Sequence, residues 1–231
     1  MMRMFKPFET GFFSLCVALL LTCAGALHAE VNGLGVVKYS KGNVRATLAG
    51  VETDLKGAEL LATGVKVEAG QDGKAVLRLL PDQAFMEVRP KTTFMIKRVK
   101  VKASRIRRIK LEVGEVVFGL KKKSEAIHCE TMHTTAIAQT GRFSCKADEK
   151  GTGMILVQDG EVSIYNRPKD MTAVVRSGQK AVSDINGIKV SDASDSELEQ
   201  VGFRQNLIEV DFVNPETDAF TTLEVEYETN F

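Results

Sequence analysis

The chain has 231 residues, 44% of them hydrophobic and 26% charged, with a formal net charge of +1. That length suits one domain of ordinary size with a real core plus an appendage. A near-neutral balance points to no particular partner, and with a single apolar stretch, at the N-terminus, nothing suggests a channel or transporter.

Residues 1–29 have the three zones of a signal peptide: Arg3 and Lys6, an apolar stretch from Gly11 to about Leu27, then small residues. Cleavage after Ala29 is the expected outcome, with Ala24-Gly25-Ala26 as an alternative cleavage site. Two other fates stay open. The stretch approaches the roughly 20 apolar residues that span a bilayer, so it could remain as an anchor. Leu20-Leu21-Thr22-Cys23 resembles a lipoprotein box. In each case residues 30–231 lie outside the cytoplasm, in the periplasm or cell envelope, and any membrane association runs through the N-terminal segment.

From Gly35 to Val190 short apolar or alternating runs are separated by glycines, a pattern of strands. Period-2 runs include Val44/Ala46/Leu48, Ile109/Leu111/Val113, Val116/Phe118/Leu120 and Val162/Ile164. Three similar glycine segments, Gly42-Asn43-Val44, Gly114-Glu115-Val116 and Gly160-Glu161-Val162, read as turns between apolar strands. Gly33–Gly64 and Gly153–Gly178 form a weak internal repeat. Ala75–Leu80 is apolar on both faces and reads as a central strand. The fold class is all-β: a sandwich, a roll or a solenoid-like stack of short strands, with a short C-terminal helix and an acidic tail. Ser194-Asp195-Ser196-Glu197 reads as a capping box opening that helix, which is expected to run to about Arg204.

Residues 91–123 hold twelve Lys or Arg against two Glu, while residues 191–231 hold eleven Asp or Glu against one Arg. In the basic run, Lys97, Arg98, Lys100, Lys102, Arg105, Arg107, Arg108 and Lys110 alternate with Val99, Val101 and Ile109. They form a candidate binding surface for an anionic polymer or an acidic partner. The competing reading is a solvated sheet face, or a hairpin neutralised by the acidic end. Leu223-Glu224-Val225-Glu226-Tyr227-Glu228 has the alternation of a strand that could add to a sheet edge.

Of four cysteines, Cys16 and Cys23 belong to the leader. Cys129 and Cys145 remain, each two residues after an apolar residue. In an oxidising compartment they are expected to form one disulfide, facing each other across neighbouring strands. His128, Cys129, Glu130, His133 and Cys145 include zinc-type donors, but their spacing fits no standard zinc pattern, and no metal or other cofactor is expected. No nucleophile elbow, phosphate-cradling loop or metalloprotease helix is present, so no catalytic residue is assigned and no enzyme is expected. Export and few aromatics argue against nucleic acid as a partner.

One series of residues has a recognisable order: Gly42-Asn43-Val44, Leu55-x-Gly57, Leu60-Leu61-x-x-Gly64, Val67-x-x-Gly70, Leu77-Arg78-Leu79-Leu80-Pro81-Asp82 and Pro90-x-Thr92-x-Phe94. It continues through Leu111–Val116, Thr131–Phe143, Gly160-Glu161-Val162 and Ser177-Gly178-Gln179. This order resembles a FecR domain, over nearly all of residues 33–190. The family commonly shows Arg-Gly-Thr-x-Phe where this chain has Gln139-Thr140-Gly141-Arg142-Phe143, so the match there rests on Phe143.

The resemblance implies a periplasmic domain of the kind that relays a signal from an outer-membrane transporter to a sigma factor. The ten or so residues before Gly11 are too few for a folded sigma-binding unit. The expectation is therefore a stand-alone envelope module that binds a protein partner in signal sensing or assembly. The alternative is a scaffold that binds cell-wall glycan or another anionic envelope polymer through the basic strand.

Overall fold

The computed structural model describes residues 33–82, 84–121, 124–202, 208–213 and 220–225, the last two as backbone. The expected leader, residues 1–29, lies outside the described residues. Among the described residues no helix is long and apolar enough to cross a membrane.

Alternation of apolar and polar side chains lets one face of each strand be buried and the other wetted, and the chain builds two layers from such strands. Across the first sheet the order is β4 (Leu60–Ala62), β1 (Gly33–Lys41), β6 (Lys74–Leu79), β7 (Phe85–Val88), β9 (Ser104–Leu120), β12 (Gly141–Ala147), β13 (Gly153–Asn166), β15 (Gln179–Asp184) and β16 (Gly187–Asp192). Across the second it is β3 (Val51–Asp54), β2 (Val44–Leu48), β5 (Val65–Ala69), β8 (Thr92–Val101), β9, β10 (Ala126–Glu130), β11 (Thr134–Ala138), β13 and β14 (Met171–Arg176). The expected central strand is present as β6, flanked by β1 and β7. Of the expected architectures this is a sandwich, with the particularity that β9 and β13 belong to both layers.

The inward residues of the two sheets form one continuous core, including Leu77, Met86, Phe118 and Phe143 from the first sheet and Phe94, Ile96, Leu111 and Ile164 from the second. Phe118 and Phe143 are cross-strand partners with ring centroids 5.0 Å apart and planes inclined by 30°. Such a pair adds about 1 kcal/mol to the area it buries.

Two of the three expected glycine turns are not turns. Gly114 (φ +97°) lies inside β9 and Gly160 (φ +88°) inside β13, each where its strand leaves one sheet for the other. Gly42 (φ +70°) does the same job between β1 in the first sheet and β2 in the second. A positive φ bends the strand sharply enough to cross between layers. The repeated Gly-x-Val segment is therefore a sheet-crossing corner. At Gly114 the corner is sealed by buried Thr92, whose hydroxyl accepts from the Glu115 N–H at 2.9 Å and donates to the Glu115 carbonyl at 3.1 Å.

The C-terminal helix α1 spans Asp195–Val201 and carries the expected capping box, ending three residues before the expected Arg204. It lies against the outer face of the first sheet, where Val201 joins Val117 and Leu156 in a second apolar cluster. Glu197 accepts from Lys180 at 2.5 Å and from the Ser194 N–H at 2.9 Å. Lys180 and then the Ser194 bonds hold its carboxyl at about 2, well below the ordinary 4.5. A depressed carboxylate stabilises the fold fully above its ordinary value, and that contribution is lost as pH falls. Acidification from pH 4.5 toward 2 should therefore weaken the hold of α1 on the sheet, read as movement of the Leu198 and Val201 methyl signals in an NMR titration. Glu197→Gln should abolish the titration.

Beyond α1, β17 (Ile208–Val213) and β18 (Phe220–Val225) pair with each other as a separate antiparallel ribbon. The expected contact between the acidic end and the basic strand involves side chains outside the described residues.

Candidate functional site

The basic run folds into the β8–β9 hairpin, and its register decides which cations are available. Ile96 pairs with Ile109 and both are buried, so the next pair on the same face, Arg98 with Arg107, also points into the sandwich. By the same parity Lys97 with Arg108, and Val99 with Ile106, fall on the other face, where Lys97 and Arg108 are exposed and Ile106 is buried. The expected phase, with Val99 inward and the cations outward, is thus reversed around Arg98 and Arg107.

Arg107 is 0% exposed, a correction to its expected place on a binding surface. Its Nη2 lies 2.7 Å from Asp82 Oδ1 and donates to the Leu80 carbonyl at 3.0 Å, while its Nε lies 3.4 Å from Glu125 Oε2. Arg98 joins the same cluster: Nε donates to Glu125 Oε2 at 3.1 Å, Nη2 donates to the Leu80 carbonyl, and Nη1 donates to the Gly33 carbonyl at 3.4 Å. The Glu125 N–H in turn donates to Asp82 Oδ2 at 2.6 Å. Two arginines and two carboxylates thus tie β8 and β9 to the loop after β6 and to the start of β10. Such burial needs the charges paired and hydrogen-bonded. Arg98 is withdrawn from the candidate surface for the same reason.

On the outer face Arg108 Nε lies 2.9 Å from Glu130 Oε1 on β10, and Lys66 bridges Glu68 at 2.6 Å and Glu112 at 3.7 Å. Neighbouring strands therefore neutralise much of this face. Lys97, Lys100, Lys102, Arg105 and Lys110 are exposed and form no salt bridge among the described residues. Lys100, Lys102 and Arg105 gather at the hairpin tip, where Lys100 is paired with Arg105.

A second surface lies where the sandwich is open, a place the sequence reading did not single out. Among the described residues β3 pairs only with β2, and β4 only with β1, so each is the last described strand of its sheet. Between them a groove of about 390 Å³ is lined by Leu48, Val51, Leu55, Leu60, Leu61 and Val65. Val51 is 66% exposed and Leu60 48%. A terminal strand with unpaired backbone groups and apolar side chains is a template for a further strand.

Cys129 and Cys145 are free, buried thiols, which corrects the expected disulfide. Cys129 pairs within the second sheet, with Ile109 and Ala136, and Cys145 within the first, with Val116 and Ile155. They meet across the core and not on neighbouring strands. Facing sheets stand about 10 Å apart, beyond the roughly 4.4–6.8 Å Cα separation of a disulfide, though two thiols can touch across that gap. A hydrogen bond with Cys129, then burial, pushes the Cys145 thiol well above its ordinary value, which keeps it protonated and unreactive.

Of the zinc-type donors, His128 lies on the outer face beside Arg108 while the two thiols are in the core. Burial, then the Arg108 cation, push His128 below its ordinary value. Among the described residues no three His, Cys, Asp or Glu side chains converge as metal donors.

Residues 65–163 match the family model described as FecR protein. The match runs from β5 to the second-sheet half of β13. No curated protein matches this chain. Two crystal structures, each named a "putative anti-sigma factor" from Parabacteroides distasonis ATCC 8503, show a partial likeness to this chain. The first is 15% identical with a TM-score of 0.49, over 58% of this chain and 62% of that one. The second is 14% identical with a TM-score of 0.49, over 71% of this chain and 85% of that one. This chain thus spans less than two thirds of the first structure's length.

Proposed function

We propose that this chain, which carries a FecR domain at residues 65–163, acts outside the cytoplasm as a non-catalytic module that binds an envelope protein in signal sensing or assembly. The N-terminal leader pattern supports export. The observation that carries the choice of a protein partner is the open end of the sandwich. There two terminal strands and the exposed Leu48, Val51 and Leu60 offer backbone pairing and apolar cover together. A polypeptide strand satisfies both, with main-chain hydrogen bonds giving affinity and alternate side chains filling the groove. The polymer-binding alternative draws on the five exposed cations of the β8–β9 hairpin, a smaller set than the eight in the sequence, because three are held by Asp82, Glu125 and Glu130.

Crosslinking in intact cells separates the two. Val51→Lys with Leu60→Lys places charge on the terminal strands, a change that blocks strand addition. Lys97, Lys100, Lys102 and Arg105 replaced together by Ser removes the basic tip. A specific envelope protein that is captured by the parent and by the tip variant, and lost from the Val51/Leu60 variant, is the expected result. Recovery of glycan alone, lost on removing the tip and weakened steeply by salt, would establish the scaffold reading instead.

A further inference from the structure

The two terminal strands at the open end of the sandwich are not equal as templates. Pairing of β4 with β1 is irregular, with a register shift between Gly33 and Gly35. β2 and β3 form a regular ladder closed by a two-residue turn at Ala49 and Gly50, both with positive φ. In such a hairpin the closing pair, Leu48 with Val51, exchanges backbone bonds, and so does every second pair beyond it. The Leu55 N–H donates to the Val44 carbonyl at 2.8 Å, which keeps that parity. The N–H and C=O groups of Glu52 and Asp54 are therefore the ones turned to the free edge of β3.

The same alternation fixes which side chains an added strand meets. Glu52, opposite Thr47, and Asp54, opposite Arg45, stand on the outer face of the sheet. Val51, opposite Leu48, and Thr53, opposite buried Ala46, stand on the groove side. A strand laid along β3 sets its residues opposite Glu52 and Asp54 beside those carboxylates. Its residue opposite Thr53 enters the groove, which Leu48, Leu60 and Leu61 line.

Both carboxylates are exposed. Arg45 Nη1 lies 2.6 Å from Glu52 Oε1, while Asp54 forms no salt bridge among the described residues. Glu59 is the one charged residue lining the groove, and its carboxylate accepts from the Lys56 N–H at 3.1 Å. Lys56 itself lines the neighbouring polar cleft with Ser40, Asn43 and Arg45. The apolar groove is thus bordered by Glu52, Asp54 and Glu59, with Arg45 already bridging the first of them. Opposite charges directly across a ladder attract and like charges repel. The edge therefore favours Lys or Arg at the two positions facing Glu52 and Asp54. Two copies of β3 paired with each other would set carboxylate against carboxylate, which disfavours a second copy of the chain as the occupant.

Resting on the reading of the open end as a strand-addition site, we propose that β3 selects an extended segment of the partner protein in which Lys or Arg alternates with large apolar residues. The basic residues pair with Glu52 and Asp54. The apolar residue between them fills the groove beside Thr53, whose short side chain leaves room for it. Glu52 and Asp54 are then specificity-determining residues for the partner, and a segment that alternates acidic with apolar residues is refused.

The test uses two acetylated and amidated peptides, Lys-Val-Lys-Val-Lys-Val-Lys and Glu-Val-Glu-Val-Glu-Val-Glu, titrated against the full chain. Binding is read by NMR from the amide signals of residues 51–54. At low salt the lysine peptide should bind about tenfold tighter than the glutamate peptide, the combined effect of two cross-strand charge pairs. Glu52→Lys with Asp54→Lys should reverse the preference, and Asp54→Lys alone is the second variant should the pair perturb folding. Glu149→Lys, an exposed charge in the β12–β13 loop, should leave the preference as it was. Equal affinity for the two peptides, or a preference that survives the Glu52 and Asp54 changes, overturns the proposal and leaves strand addition standing. Failure of both peptides to bind up to about 1 mM overturns the strand-addition reading and this inference with it.

Discussion

Arg107→Ala should destabilise the domain by about 3–5 kcal/mol, the range for removing one partner of a buried ion pair. The loss comes less from the missing attraction than from what is left behind. Asp82 and Glu125, 12% and 15% exposed, would keep their charges with little water to solvate them, and the Leu80 carbonyl would lose a donor. Arg108→Ala, one residue away but 45% exposed and paired with Glu130 at the surface, should change stability by less than about 1 kcal/mol. Urea unfolding of the two variants makes the comparison. Equal, small losses would mean that the Arg107 cluster is solvated and that its place inside the sandwich is wrong.

Gly114→Ala should cost about 4 kcal/mol, from two causes of similar size. A non-glycine residue at φ +97° is strained by roughly 1–3 kcal/mol. A Cβ there would also lie 2.4 Å from Thr92 Cα and Oγ1 and 2.6 Å from the Lys91 carbonyl, and relieving that overlap costs a further 1–3 kcal/mol or so. β9 is paired in both sheets on either side of this residue, so the backbone has no slack with which to move away. Gly178→Ala separates the causes, because Gly178 has φ +79° but nothing within 4 Å of its would-be Cβ. It should cost only the conformational part, about 1–2 kcal/mol. If both alanine variants lose the same amount, the steric closure of the corner by Thr92 is refuted.

How much of this was legible in the sequence varies with the range of the interaction concerned. The capping box at Ser194 and Glu197 is a contact between residues three apart, and it was read correctly. β6 was placed centrally because apolar residues on both of its faces leave no wet side. The β8–β9 phase was misread, although parity held the answer: Arg107 and Ile109 are two apart, so burying Ile109 carries Arg107 inward as well. What no local pattern could supply was the identity of its partners, because Asp82 and Glu125 are 43 residues apart in the chain and meet only when the sheets close. The glycine corners failed for a related reason. A glycine between two apolar runs signals a bend, but whether the chain then doubles back or passes into the opposite layer depends on strands far away in sequence. The cysteines were correctly put on the buried face, and assigned to neighbouring strands when they belong to facing sheets.

Two strands running through both layers also govern how the domain comes apart. In a sandwich whose sheets are joined only by loops, one layer can loosen while the other persists. Here, peeling the second sheet away pulls on residues 104–113 of β9 and 161–166 of β13, and each is continuous with ladders in the first sheet. Neither layer is expected to unfold alone, so probes in the two sheets should report one coincident transition in urea. A tug applied at the basic hairpin is borne directly by the backbone of the opposite sheet, which makes the domain a stiff mechanical link between whatever holds its two ends.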